Sequence, residues 1–260
     1  MKKKILLIGF IGFQLSTFSQ MGFEVGFRSG KVSSKSLDEF TNTFNAYHQS
    51  IITEPLDDLG MTYGWGAGMD YEVGGFFGAL RFSDVKANTQ VTYNSGGIRH
   101  FDLSQFMSTV TCGFGKNLEE FAFHLGVGMA VGKDVITSYY EYADGTMSIG
   151  KDKILNGVYE GLHFSYVADL TAAVGLGGGF MIYAHLDYLF GSFAKLDFTM
   201  DEWHWDKSLD AYYHTPEGLP LDYAEWMALQ GTFTYPVDKF VKTDMNGLRF
   251  EVGLRYQLNF

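Results

Sequence analysis

The chain has 260 residues, 32 of them glycine and 4 proline, with 17% aromatics and a formal net charge of −11. An acidic balance of that size excludes the basic footprint of a nucleic-acid binder, and a single cysteine, Cys112, excludes an intramolecular disulfide framework. After the N-terminus no apolar run approaches the roughly 18 residues of a transmembrane helix, so a chain that crosses a bilayer this way must close as a β-barrel.

The chain opens with Met1, Lys2, Lys3 and Lys4, runs apolar from Ile5 to Leu15, and continues through Ser16, Thr17, Phe18, Ser19 and Gln20. A basic head, a short apolar core and a small-residue exit predict a signal peptide over 1–19. Residues 20–260 are then one barrel-sized domain.

Period-two alternation marks eight strands. They are expected at 22–28, 62–73, 75–84, 103–114, 119–131, 162–175, 179–190 and 248–260. The last pattern is the cleanest. Leu248, Phe250, Val252, Leu254, Tyr256, Leu258 and Phe260 fall on one face, and Arg249, Glu251, Gly253, Arg255, Gln257 and Asn259 on the other. Ordinary strands average about five or six residues, whereas a tilted membrane-crossing strand needs about nine to eleven. The connections alternate. Long or moderate loops are expected at 29–61, 85–102, 132–161 and 191–246, and tight turns at Gly74-Gly75, 115–118 and 175–178. Short turns at one end and long loops at the other are the outer-membrane barrel pattern, with the long loops outward.

Charge follows the same alternation. Glu24, Arg28, Asp70, Glu72, Arg81, Asp169, Asp187, Arg249, Glu251 and Arg255 lie opposite the apolar face, together with His124 and His185. Four of the five arginines thus fall in strands, while the lysines fall in the leader, loops or turns. A lipid-facing charge costs about 2–4 kcal/mol at the bilayer midplane, so the charged face is the expected lumen. Its near balance of sign predicts an interior ion-pair network, built on the planar fork of arginine.

On these features the chain resembles the eight-stranded OmpA/OmpX-type transmembrane barrels of the Gram-negative outer membrane. The likeness is one of architecture along the whole mature sequence, and the final strand ending in Phe260 resembles their terminal assembly signal. It implies an all-β, antiparallel up-and-down transmembrane barrel whose long extracellular loops contain short helices. It also implies an outer-membrane location, contact with outer-membrane lipid, and recognition of the last strand by the barrel assembly machinery. A soluble secreted β-barrel is the alternative fold, and it would show large apolar faces to water.

An eight-stranded barrel is just wide enough for its own side chains to fill, and Met181 and Tyr183 point inward with the charges. The expected function is therefore non-enzymatic. It is a plugged scaffold whose outer loops serve surface interaction or envelope integrity, with no cofactor. A small-molecule or apolar-ligand channel is the alternative. A membrane-embedded lipid-modifying enzyme or protease comes third: Ser165, His185 and Asp187 share the inward face, but without a hydrolase motif.

Two loops carry patterns of their own. Ser36, Leu37, Asp38 and Glu39 read as a capping box, with Leu37, Phe40, Phe44, Tyr47 and Ile51 following at helical spacing and packing on the rim or another loop. Residues 195–244 hold ten carboxylates against four lysines, and a short helix is expected at 221–230. Here Trp203, His204, Trp205 and Asp206 form a candidate ligand site, since aromatic faces beside carboxylates suit a sugar or a cationic ligand. Asp201, Glu202, His204 and Asp206 have donors for a divalent cation, though without EF-hand spacing, so no resident metal is expected. A loop mini-core or interfacial aromatics explain the same residues. Cys112 is expected to face lipid. No residue pattern names a surface partner.

Overall fold

The computed structural model describes residues 19–118, 120–148, 156–195, 199–200, 203–206, 211–214 and 245–259. In chain order its elements begin with β1 (Ser19–Lys31), α1 (Lys35–His48), β2 (Ile52–Glu54), β3 (Met61–Val73), β4 (Phe76–Tyr93) and β5 (Ile98–Asn117). They continue with β6 (Phe121–Glu141), β7 (Gly157–Gly177), β8 (Phe180–Lys195), β9 (Thr199–Met200), β10 (Trp203–Asp206), β11 (Ala211–His214) and β12 (Gly247–Asn259). Residues 1–18 of the expected signal peptide lie outside the described residues, and Ser19, expected to be its last residue, begins β1.

Antiparallel neighbours run β4-β3-β1-β12-β8-β7-β6-β5 and back to β4, closing a ring of eight strands. At the inner end the connections are tight. Gly74 and Gly75 have φ of 59° and 86°, and a two-residue hairpin turn with positive φ at both positions matches the twist of its strands. The glycine turn expected at 175–178 sits slightly later, at 178–179.

Above these turns the outward face is apolar. Val25, Met69, Val110, Val127 and Leu254 are exposed along its middle. Tyr71, Phe76, Phe114 and Phe121 mark its inner edge, and Tyr63, Trp65, Phe106, Tyr166 and Tyr188 its outer edge. Such aromatic girdles flank the apolar band of membrane barrels. Exposed apolar surface of this extent belongs in lipid, and ring closure leaves no open edge there. Cys112 is exposed on the same face.

The outer end departs from the expected loops. Strands β4 to β7 are 18, 20, 21 and 21 residues long, against 13 for β1, β3 and β12. The expected loop 85–102 is two strands joined by a turn at 94–97, and the expected loop 132–161 is strand up to Glu141 and again from Gly157. The physical reason is an inversion of polarity. Within the belt, Leu80 and Phe82 point outward while Arg81 and Ser83 are buried inside. Higher on β4, Asp84, Lys86, Asn88 and Gln90 point outward, and Val85, Ala87 and Val91 are buried inside. The outward face has left lipid for water. The same switch falls between Phe106 and Ser104 on β5, Val131 and Lys133 on β6, and Leu162 and Glu160 on β7. An exposed Lys133–Glu160 ion pair of 2.7 Å marks it. Consequently Lys86 and Lys133 sit in strands rather than loops, and so does the fifth arginine, Arg99; Lys116 also falls in a strand, at the inner end of β5.

Helix α1 fills the apolar upper interior. Its N-cap is Ser34, whose hydroxyl accepts from the Leu37 N–H at 3.1 Å. Ser36 and Glu39 therefore lie inside the helix; the N-cap falls two residues before the expected capping box, and with Leu37 at N3 the reciprocal carboxylate of a box is replaced by an apolar side chain. Phe40 and Phe44 pack against Phe101 with ring centroids 5.6 and 6.2 Å apart. His48 completes the buried face, while Ile51, expected on that stripe, is exposed beyond the helix end. The helix does not rest on the rim. It sits inside the cup formed by the upper parts of β4 to β7, in one cluster with Leu56, Leu59, Leu103, Ile136, Tyr159 and Met245.

Candidate functional site

The lower interior, at the level of the lipid belt, is built on alternation and glycine. Gly22, Gly26, Gly66 and Gly68 occupy inward positions on β1 and β3, and their missing side chains leave room for long ones from elsewhere in the ring. A Cβ at Gly66 would stand 2.0 Å from Glu251 Oε2, and one at Gly26 would stand 2.6 Å from the Tyr183 hydroxyl. Three arginines fill that room. Arg255 donates to Glu24 at 3.2 Å and Asp70 at 2.9 Å, and Arg81 donates to the other oxygen of Glu24 at 3.1 Å and to Asp169 at 2.8 Å. His185 Nε2 lies 2.7 Å from Asp169. Higher up, Arg28 bonds Asp187 and, at 3.0 Å, Glu251, which also accepts from Tyr183. Glu72 accepts from the Asn117 N–H at 2.8 Å and lies 3.9 Å from His124.

Of the ten charged residues singled out from the sequence, nine thus have a charged, histidine or backbone partner inside the ring. The tenth, Arg249, is placed differently. It donates to Gln105 Oε1 at 2.6 Å and contacts Met107 Sδ at 3.2 Å.

Arg249 belongs to a second cluster that alternation alone did not reveal. Gln105 Nε2 donates to Asp134 at 2.6 Å, Asp134 lies 3.1 Å from His163 Nδ1, and His163 Nε2 lies 2.7 Å from the Ser165 hydroxyl. The considered Ser165–His185–Asp187 grouping does not form: His185 turns to Asp169 and Asp187 to Arg28. Ser165, His163 and Asp134 instead hold the relative arrangement of a nucleophile, base and orienting acid. They are also fully buried, between an apolar cluster of Met107, Ala130, Val167 and Leu189 below and the α1 cluster above. In this arrangement none of the three is open to solvent. The signal missed was the continuation of β6 past its expected end at 131, through the inward positions Gly132, Asp134, Ile136 and Ser138, where Asp134 brings the cluster its carboxylate.

The ring, the belt and this interior decide the architecture. The chain has the fold of the eight-stranded OmpA/OmpX-type outer-membrane barrels. No protein-family model matches it, and no curated protein matches it. Among solved structures, the attachment invasion locus protein Ail of Yersinia pestis, in complex with the heparin analogue sucrose octasulfate, is similar at 10% identity with a TM-score of 0.41, over 92% of this chain and 99% of Ail. A second Ail structure gives 11% identity and 0.38 over the same shares. Neisserial surface protein A gives 9% identity and 0.35, over 92% of this chain and 96% of its own. The barrel assignment rests on the strand ring itself.

The outer storey has its own polar fittings. Asn45 clamps Leu56 through both its N–H and its C=O, each at 2.8 Å, tying α1 to the strand-free segment 55–60. Arg99 bonds Asn156 at 3.1 Å and Ser138 at 3.3 Å, and lies 5.6 Å from the Tyr140 ring centroid. Burial pushes the Tyr159 phenol above its ordinary pKa, so it stays neutral in the apolar cluster. The candidate loop ligand site, Trp203, His204, Trp205 and Asp206, forms strand β10, whose backbone pairs with β11 in the register Trp203 to His214 and Trp205 to Tyr212. Asp201, Glu202 and the helix expected at 221–230 lie outside the described residues. Among the described residues no group of three or more His, Cys, Asp or Glu has the placement of a metal site.

Proposed function

We propose that this protein is a non-enzymatic outer-membrane barrel whose interior is a sealed scaffold and whose outer projection mediates surface interaction or envelope integrity. The observation that carries the reading is the filled interior. Arg28, Arg81 and Arg255 are each 3% exposed or less and each bridges two carboxylates. An ion pathway would have to break several such pairs in a low-dielectric interior, and breaking a buried pair costs about 3–5 kcal/mol. What varies freely on such a scaffold is the part held in water, here the tall wall of β4 to β7 with α1 inside it.

In this reading the belt contacts outer-membrane lipid, residues 1–19 direct export, and the last strand with Phe260 presents the assembly signal. The ion pairs of the lumen and the Ser165 cluster are structural. Trp203, His204, Trp205 and Asp206 remain a candidate ligand element in the last outer connection. Proteoliposomes carrying the purified chain test the alternatives together. They should adhere to cell monolayers or immobilised matrix protein above empty liposomes, should not swell in iso-osmotic arabinose, and should show no fluorophosphonate labelling of Ser165. Swelling without adhesion would establish the channel instead, and labelling lost in Ser165→Ala would establish an enzyme.

A further inference from the structure

The outer wall of the barrel has a gap. Strands β3 and β4 are paired from Val73–Phe76 up to Tyr63–Lys86, and β2 rejoins β4 only at Glu54–Thr92. Between these points the chain at 55–60 swings inward, where Leu56 and Leu59 are buried under α1, and Asp57 is held to β4 by its carbonyl accepting from the Thr89 hydroxyl at 2.8 Å. Residues 87–91 of β4 therefore pair with β5 on one side and, among the described residues, with no strand on the other. The gap is an open cleft of about 760 Å³, lined among others by Glu54, Asp57, Asp58, Asn88 and Gln90, with Met61 and Tyr63 at its lipid-side edge. Behind it, sharing Asp57, Leu59 and Thr89, is an apolar recess of about 20 Å³ bounded by Leu37, Phe40, Phe101 and Ile136.

We infer that this gap is a docking slot for an extended basic peptide segment of a partner protein, which adds as a strand to the free edge of β4. The inference deepens the surface-interaction reading and rests on it. Three features select the occupant. First, natural sheets protect edges with lysine, proline, bulges or cover, yet the unpaired stretch reads Ala87, Asn88, Thr89, Gln90 and Val91, with neither charge nor proline. Alternate residues of an edge strand turn N–H and C=O outward, and an incoming extended chain satisfies both. Five residues offer about 17 Å of edge at ~3.4 Å per residue.

Second, three carboxylates and no lysine or arginine line the cleft, on a chain of net charge −11. Complementary charge steers encounter and rejects acidic competitors. Third, the recess admits about one methyl-sized group, since about 10–15 Å³ of such space holds a single water. That suits the tip of one valine or alanine side chain and is too small for a lipid acyl chain. Strand addition supplies affinity through the backbone, and the recess and carboxylates supply selectivity at alternate positions.

The test uses the full chain in lipid nanodiscs and a fluorescein-labelled Lys-Val-Lys-Val-Lys-Val-Lys amide. Anisotropy should report saturable binding, and amide hydrogen exchange should slow at 87–91. The D57N/D58N double substitution should weaken binding by about tenfold, an effect that shrinks in high salt. Two further peptides carry the same side chains but N-methyl groups on one or the other alternate set of amides. At least one of them should lose binding, because it keeps the charge and cannot pair. Equal binding by both methylated peptides, protection elsewhere than 87–91, or no binding by the parent peptide would each overturn the slot. If the slot fails while proteoliposomes still adhere, the surface-interaction reading stands without it. If adhesion fails as well, both fall.

Discussion

At the level of the lipid belt the barrel is filled by Arg28, Arg81 and Arg255 with their carboxylates, whereas higher up the extended strands β4 to β7 close over Phe40 and Phe44 of α1. What decides the difference is the solvent outside the wall. Where the outside is lipid, the outward face must be apolar, and an inward face of opposite character pins each strand's facing, since a one-residue slip would put every charge into lipid. Where the outside is water, the polarity reverses and the interior becomes an ordinary apolar core that needs an element to cover it. Helix α1 is that element. The lower storey is a ring-wide network that specifies the barrel; the upper storey is a sheet with a helix on its concave side, added to one half of the ring.

That contrast is open to attack by substitution. The largest expected effect is in the lower storey. Arg255→Leu strands Asp70 inside the barrel and leaves Glu24 with Arg81 alone; it should destabilise the barrel by about 3–5 kcal/mol, read as a lost heat-modifiable band and a lower urea midpoint in micelles. Phe44→Ala removes a fully buried ring and should cost about 3–5 kcal/mol of α1 docking, but locally. Residues 35–60 should become protease-sensitive while the barrel midpoint stays put. A collapse of the whole barrel in that variant would erase the distinction between storeys. Gly66→Ala sets a methyl 2.0 Å from Glu251 Oε2 and should cost about 1–3 kcal/mol by overpacking, in barrel unfolding alone. The smallest effect is Ser34→Ala, about 1 kcal/mol of helix capping, visible as faster amide exchange in the first turn of α1 and nowhere else.

The belt was legible because one rule, apolar residues every second position, holds from Phe23 to Phe27, Tyr63 to Val73 and Leu248 to Leu258. The inward charges came with it, since Arg81 and Arg255 stand opposite the apolar face and a charge there has only the lumen to occupy. The same rule hid the outer storey. Beyond Phe82, Phe106 and Val131 the alternation persists with its sign reversed, so a search for outward apolar residues ends the strand at Asp84 and reads Lys86, Asn88 and Gln90 as loop. Register was the other missing quantity. Ser165, His163 and His185 share the inward face by the same alternation, and His163 stands two residues from the serine on β7, but only the pairing of β6 with β7, which sets Gly132 opposite His163, brings Asp134 to that histidine. Long-range pairing of that kind is set by the closed ring and not by spacing along one strand.

In the proposed reading the charged lower storey seals the barrel and α1 does not. Single-channel recording in planar bilayers tests this most directly, with the full chain beside a variant in which residues 35–48 are replaced by a Gly/Ser linker. Neither protein should carry a steady current. A stable conductance that appears only when the helix is removed would make α1 the plug and contradict the account, and a stable conductance in the full chain would contradict it outright.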